Sequence, residues 1–161
     1  MSSCKPKLSL EEKELDILRN AVDIAEKRKG KQTVSDPDVK KIIGILEDFL
    51  KKKKLICYGG TAINNILPLE DQFYDKNIEI PDYDFYSPNA LDDAIELANI
   101  YYDSGFQEVE AKAGVHYGTY KVFVNFIPVA DITYLEKPLF KRIQKEAISI
   151  YGILYCPANF L

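Results

Sequence analysis

The chain has 161 residues, of which 47% are apolar and 29% charged, with a net charge of −4. This length holds one domain with a real core and is too short for two comfortable ones, and the ordinary composition excludes a disordered chain. The negative balance excludes nucleic-acid binding by bulk charge alone, so a polyanion would have to be held by metal ions or local lysines.

Cys4, Cys57 and Cys156 lie far apart, odd in number and without metal-ligand spacing, which points to a reducing compartment and structural thiols. The N-terminus is polar and no apolar run approaches a membrane span, so the chain reads as soluble and intracellular, with no membrane partner.

Ser9-Leu10-Glu11-Glu12 is a capping-box pattern, followed by Leu15, Leu18, Val22 and Ala25 at helical spacing. The spacing predicts a helix to about Lys29, stopped at Gly30, with its apolar stripe in the core. Asp36-Pro37-Asp38 starts a second helix with the stripe Val39, Ile42, Ile43, Leu46, Phe49 and Leu50. Lys51 to Lys54 suit the negative end of its dipole and read as a solvated helix end. Leu55 to Tyr58 is a short buried-type strand, and Ala62 to Leu67 a brief helix stopped by Pro68. Residues 69 to 77 read as a loop and Ile78 to Ser87 as a strand. Asn89 caps a third long helix, with Leu91, Ala94, Ile95, Ala98 and Tyr101, ending near Gly105.

Val109–Val115 and Thr119–Phe126 read as strands turning at His116-Tyr117-Gly118, and Ile127–Tyr134 continues extended. In the second of these, Lys121, Phe123 and Asn125 oppose the apolar Tyr120, Val122, Val124 and Phe126. Pro138 to Ile148 is a last helix, Ile150 to Cys156 a strand, and Pro157 to Leu161 the start of a further helix. The chain reads as the N-terminal piece of a longer protein. Residues 1–54 form a helical segment packed on a core of residues 55–161.

Three features carry chemistry. Gly59-Gly60-Thr61 sits at a strand-to-helix turn, where glycines admit close backbone approach and helix N-terminal amides attract phosphate. Asp82 and Asp84 lie two residues apart in a predicted strand, about 6–7 Å apart on one face. Asp131 is a lone acid in the apolar run Val129-Ala130-Asp131-Ile132. A charged pair on a solvated edge strand is the plain alternative for Asp82 and Asp84. Three carboxylates on neighbouring strands suit Mg²⁺ or Mn²⁺, and without metal at least one of their pKa values should rise.

Gly59-Gly60-Thr61, Asp82-Tyr83-Asp84 and Asp131 together resemble the signature of the polymerase-β-type nucleotidyltransferase superfamily. The strings Tyr58 to Pro68, Ile80 to Ser87 and Val129 to Thr133 resemble more narrowly the poly(A) polymerase catalytic subunits of giant viruses such as the mimiviruses. The resemblance covers most of residues 55 to 161. It implies an α/β (α+β) nucleotidyltransferase palm, a mixed, mostly antiparallel sheet flanked by helices. It further implies that Asp82 and Asp84 hold two Mg²⁺ or Mn²⁺ ions, that Asp131 holds the catalytic one, and that Gly59, Gly60 and Thr61 bind the ATP phosphates. Family enzymes carry a further C-terminal region that closes over nucleotide and RNA, and this chain ends before it.

The expected activity is template-independent transfer of AMP from ATP to an RNA 3′ end, in host cytoplasm or virion. Two alternatives stay open: a small nucleotidyltransferase acting on tRNA, protein or a small molecule, and a non-catalytic palm used for dimerisation or RNA binding. A homodimer is an open partner. His116 reads as a structural or surface residue, Asn64 and Asn65 equally as ligand contacts from the short helix or as packing or capping residues, and Asn125 as a candidate to position Asp131.

Overall fold

The computed structural model describes residues 9–75, 77 and 79–161. Cys4 and Ile78 lie outside the described residues. Helix α1 (Leu10–Ser35) opens on the expected capping box: the Ser9 hydroxyl accepts from the Glu12 N–H, and the Glu12 carboxylate accepts from the Ser9 N–H. It does not stop at Gly30. One glycine costs only about 1 kcal/mol inside a helix, whereas the residue before a proline is driven out of helical conformation. The break therefore falls at Asp36 (φ −61°, ψ 128°), ahead of Pro37. The stripe of Leu15, Leu18, Val22 and Ala25 is exposed rather than core, since α1 packs against α2 and buries no residue.

Helix α2 (Pro37–Lys53) is capped by Asp36, whose carboxylate accepts from the Asp38 N–H at 2.8 Å. It buries Val39, Ile42, Leu46, Phe49 and Leu50, with Ile43 half-buried. Lys54 ends it in the left-handed region (φ 54°).

Among the described residues the strands are β1 (Ile56–Tyr58), β2 (Tyr83–Ser87), β3 (Val109–Ala113), β4 (Thr119–Val124), β5 (Ile127–Tyr134), β6 (Ile148–Ile150) and β7 (Ile153–Tyr155). They form one sheet in the order β3-β4-β5-β2-β1-β7-β6. Two neighbouring pairs, β2–β5 and β1–β7, are parallel and the rest antiparallel, so the sheet is mixed and mostly antiparallel as expected. Helix α3 (Gly59–Ile66) follows β1, α4 (Ala90–Asp103) follows β2, and α5 (Lys137–Glu146) follows β5.

Cross-strand register sorts the two faces. Cys57, Phe85 and Ile132 form one buried row, and Tyr83, Ala130 and Val122 another. Both belong to the core, which includes residues of α2 and α4. Alternation puts Tyr58, Asp84, Asp131 and Lys121 on the opposite face. The α4 stripe is shifted from expectation: Ala90, Ala94, Leu97 and Tyr101 are buried, while Leu91 and Ile95 are exposed. Asn89 holds the N-cap position without a side-chain cap bond. Its N–H donates instead to the Ser87 hydroxyl, which in turn donates to buried Asp93. Asp93 also accepts from Lys53 at 2.8 Å, so one of the lysines read as solvated anchors α2 to α4.

Several strand ends differ from expectation. The β4–β5 connection is a two-residue turn with both Asn125 (φ 50°) and Phe126 (φ 63°) left-handed, so the strand ends at Val124. Tyr151 (φ 50°) and Gly152 (φ 83°) do the same between β6 and β7, which converts the single strand expected over Ile150–Cys156 into a hairpin. Positive φ at both central positions matches the right-handed strand twist. Helix α5 ends at Glu146, before Ile148 enters β6, and Ala158–Phe160 is a 3₁₀ turn.

Candidate active site

Strand β1 delivers the chain directly into α3, and Gly59 makes the bend with φ +73°. A methyl group there would fall 2.6 Å from Asp84 Oδ2, so the position requires glycine for conformation and for space. At Gly60 a methyl would meet the Tyr74 hydroxyl at 2.7 Å. The diglycine therefore lies against a carboxylate, with the first amides of α3 beside it.

Asp84 pairs in register with Tyr58 on one side and Asp131 on the other. Asp131 pairs with Lys121 on β4, and Lys121 with Lys112 on β3. One row thus crosses five strands: Tyr58, Asp84, Asp131, Lys121, Lys112. Asp82 differs from expectation, because β2 begins at Tyr83 and Asp82 sits exposed on its approach rather than inside a strand. The Thr61 hydroxyl donates to the Asp82 carbonyl, tying α3 to this approach, and Thr61 itself is buried. The two acids are thereby held by different devices: Asp84 by the sheet and Asp82 by α3.

The acids feel one another. Burial, then the charges of Asp82 and Asp131, raise the Asp84 carboxyl to about 6, with Lys121 opposing. Partial desolvation, then the Asp131 charge, raise Asp82 in the same sense. The Lys121 ammonium is bound to Asp131 Oδ2, which raises the lysine's own pKa against its partial desolvation. Among the described residues no three His, Cys, Asp or Glu side chains are gathered into a metal cage. The donor set nevertheless suits a hard cation, being three carboxylates, two of them raised by burial first and by neighbouring acids second, with one oxygen occupied by an ammonium that a metal ion can replace.

Other candidates resolve into structural roles. Buried Asn64 accepts from the Phe73 and Tyr74 N–H groups at 2.8 and 2.9 Å, fixing the loop that places Tyr74 against Gly60. Asn65 donates to the Tyr155 hydroxyl at 3.1 Å. His116 is exposed in a turn. Asn125 is exposed at the β4–β5 turn and cannot position Asp131, because the hairpin carries it to the far end of β5. Cys57 and Cys156 are free and buried, and burial raises both thiols. Tyr58 stacks on Tyr86 with ring centroids 4.0 Å apart and shares a 2.8 Å hydrogen bond with Thr133. A cavity of about 510 Å³ opens beside the site, its walls including Thr61, Asp82, Glu47 and Tyr83. Lys121 is the site residue that sequence reasoning passed over. Its alternation opposite Tyr120, Val122 and Val124 was the available signal.

Comparison with known proteins gives the same assignment by three routes. The family model "Poly(A) polymerase catalytic subunit" matches residues 44–161. A protein assigned as the poly(A) polymerase catalytic subunit of African swine fever virus is 37% identical over 120 residues, 74% of this chain and 24% of that protein. Its counterpart in Acanthamoeba polyphaga mimivirus is 37% identical over 123 residues, 74% of this chain and 20% of that protein. The crystal structure of the Megavirus polyadenylate synthase superposes with a TM-score of 0.82 at 30% identity, covering 99% of this chain and 32% of that one. The chain thus spans a quarter or less of these curated relatives and about a third of that structure. The chain belongs to the poly(A) polymerase catalytic subunit family.

Proposed function

We propose that this chain carries the catalytic acids of a template-independent nucleotidyltransferase that adds AMP from ATP to RNA 3′ ends. The observation that carries the reading is the register pairing of Asp84 with Asp131, beside the diglycine turn from β1 into α3. The family's chemistry depends on divalent metal, and Mg²⁺ or Mn²⁺ held by Asp82, Asp84 and Asp131 would polarise the attacking hydroxyl and neutralise the leaving pyrophosphate.

The chain's own residues supply alignment and charge. Asp84 and Asp131 are fixed on adjacent strands, so their carboxylates need little reorganisation to share a cation. Thr61 holds the approach that carries Asp82. The amides of Gly59 and Gly60, at the positive end of α3, attract the nucleotide phosphates. Asp131 lies on the side away from the diglycine, which leaves the acceptor hydroxyl to approach from there. The working compartment on this reading is the infected cell's cytoplasm or the virion.

The test is extension of a labelled RNA by ATP in the full protein, with Asp84→Asn alongside wild type. Ladders of increasing length from wild type and none from the variant are expected. A single added nucleotide on another acceptor, or ladders retained in Asp84→Asn, would overturn it.

A further inference from the structure

Beyond the acids, the same row continues outward across β4 and β3. Lys121 pairs in register with Asp131 and with Lys112, so two cations follow the acids on one face of the sheet. The Phe123 ring is two residues along β4, and the Lys112 ammonium sits 4.4 Å from its centroid. Glu110, also on β3, lies 3.3 Å from Lys112 and is exposed. Both lysines thus have a carboxylate partner in the protein alone: Asp131 for Lys121 and Glu110 for Lys112.

The order of the row decides which substrate these cations face. The diglycine follows Tyr58 on β1, three strand spacings from Lys121 on β4, or roughly 14 Å. In an in-line displacement the attacking and leaving oxygens lie on opposite sides of phosphorus. Pyrophosphate leaves at the diglycine, so the attacking hydroxyl enters at the Asp131 end. A cation beyond Asp131 therefore meets the incoming strand. When a metal ion claims the Asp131 oxygens, the Lys121 ammonium must find another anion, and the backbone of that strand is the one at hand.

We propose that Lys121 and Lys112 form the landing track for the acceptor RNA, each taking a backbone phosphate near the 3′ end, with Phe123 holding Lys112 in place. The inference rests on the polyadenylation reading for the identity of the acceptor. It assigns acceptor binding to a sheet face whose cations compensate for the chain's net charge of −4. Lys121 is a lock on Asp131 in the metal-free protein and an RNA contact in the loaded one.

The experiment is fluorescence anisotropy of a labelled oligoadenylate with the full chain, across about 25 to 200 mM salt, with and without Mg²⁺. Each phosphate contact in a single strand contributes about 0.7 to the slope of log K against log salt. Lys112→Gln should lower the slope by about 0.7 in both conditions, and Lys121→Gln by about 0.7 only with Mg²⁺. Arginine at either position should restore the slope, ATP affinity should not change in Lys112→Gln, and Lys40→Gln on α2 should have no effect. Unchanged slopes in the glutamine variants, parallel loss of ATP affinity in Lys112→Gln, or wild type showing no salt-dependent RNA binding would overturn the proposal. Ladder formation is read separately, so failure of the polyadenylation reading leaves its own trace.

Discussion

Asp84 on β2 and Asp131 on β5 are direct register partners on parallel strands, and the charge of each bears on the same small space. Nothing in packing requires two acids at adjacent positions of a sheet. Among the described residues, Lys121 is the group that relieves their mutual repulsion in the metal-free protein.

Burial of Asp84, with the neighbouring acids adding to it, gives a pH-dependent stability. An aspartate raised from its unfolded value near 3.9 to about 6 binds its proton more tightly in the folded state. Its contribution to folding is complete below the unfolded value and is lost as pH rises through about 6. Asp84→Asn should therefore raise the metal-free melting temperature by a few degrees at pH 7.5 and change it little at pH 4, while abolishing activity. Thermal melts in EDTA at the two pH values check this. A variant no more stable than wild type at pH 7.5 would contradict it.

Cation binding should run the opposite way with pH, because the carboxylates must be deprotonated to ligate. Mn²⁺ affinity should be weak at pH 5 and strengthen as pH passes about 6, following Asp84. Titration calorimetry at several pH values reads this directly, and a pH-independent affinity would contradict it.

Gly59→Ala tests the bend. The backbone there is left-handed and the added methyl would fall 2.6 Å from Asp84 Oδ2. Strain of this kind costs of order 1–3 kcal/mol, and the variant should also lose activity by about a hundredfold, since a displaced carboxylate misplaces what it holds. Chemical denaturation paired with extension kinetics separates the two effects. Near-normal activity in Gly59→Ala would contradict the close approach.

Thr61→Val should lower the extension rate several-fold while leaving the fold stable to within about 1 kcal/mol, because it removes one hydrogen bond to the Asp82 carbonyl. Thr61→Ser should retain most of the rate. Equal losses in both variants would point away from the hydroxyl.

The buried acid of the scaffold behaves differently. Asp93 accepts from Ser87 and Lys53 in the seam between α2, β2 and α4. Asp93→Ala leaves the Ser87 hydroxyl without its acceptor and Lys53 with Glu96 as its remaining carboxylate, and should cost about 1–3 kcal/mol, visible as a fall in melting temperature. A loss under about 1 kcal/mol would show that water replaces the carboxylate.

Much of the fold was legible because it rests on local chemistry. The Ser9–Glu12 box and the Asp36 cap fixed where helices begin, and alternation along Thr119–Val124 identified a strand with one wet face. The misses share a physical origin in what only neighbours decide. The stripe of α1 has ordinary periodicity yet stays exposed, because periodicity reports a face without saying what covers it. Asn125-Phe126 and Tyr151-Gly152 are turns whose positive φ is imposed by strand twist, and Phe and Tyr give little warning of it. The Asp82, Asp84 and Asp131 residues stood out because acids in apolar runs break a local rule. Lys121 did not, since a lysine on the wet face of a strand breaks none.

The central claim is that Asp82, Asp84 and Asp131 share divalent cation at the diglycine bend. Anomalous diffraction from crystals grown with Mn²⁺ and a non-hydrolysable ATP analogue tests it most directly. Metal is expected within about 2.0–2.2 Å of oxygens from all three acids, with Asp131 released from Lys121. Metal bound elsewhere, or Asp131 still paired with Lys121 in the loaded site, would contradict it.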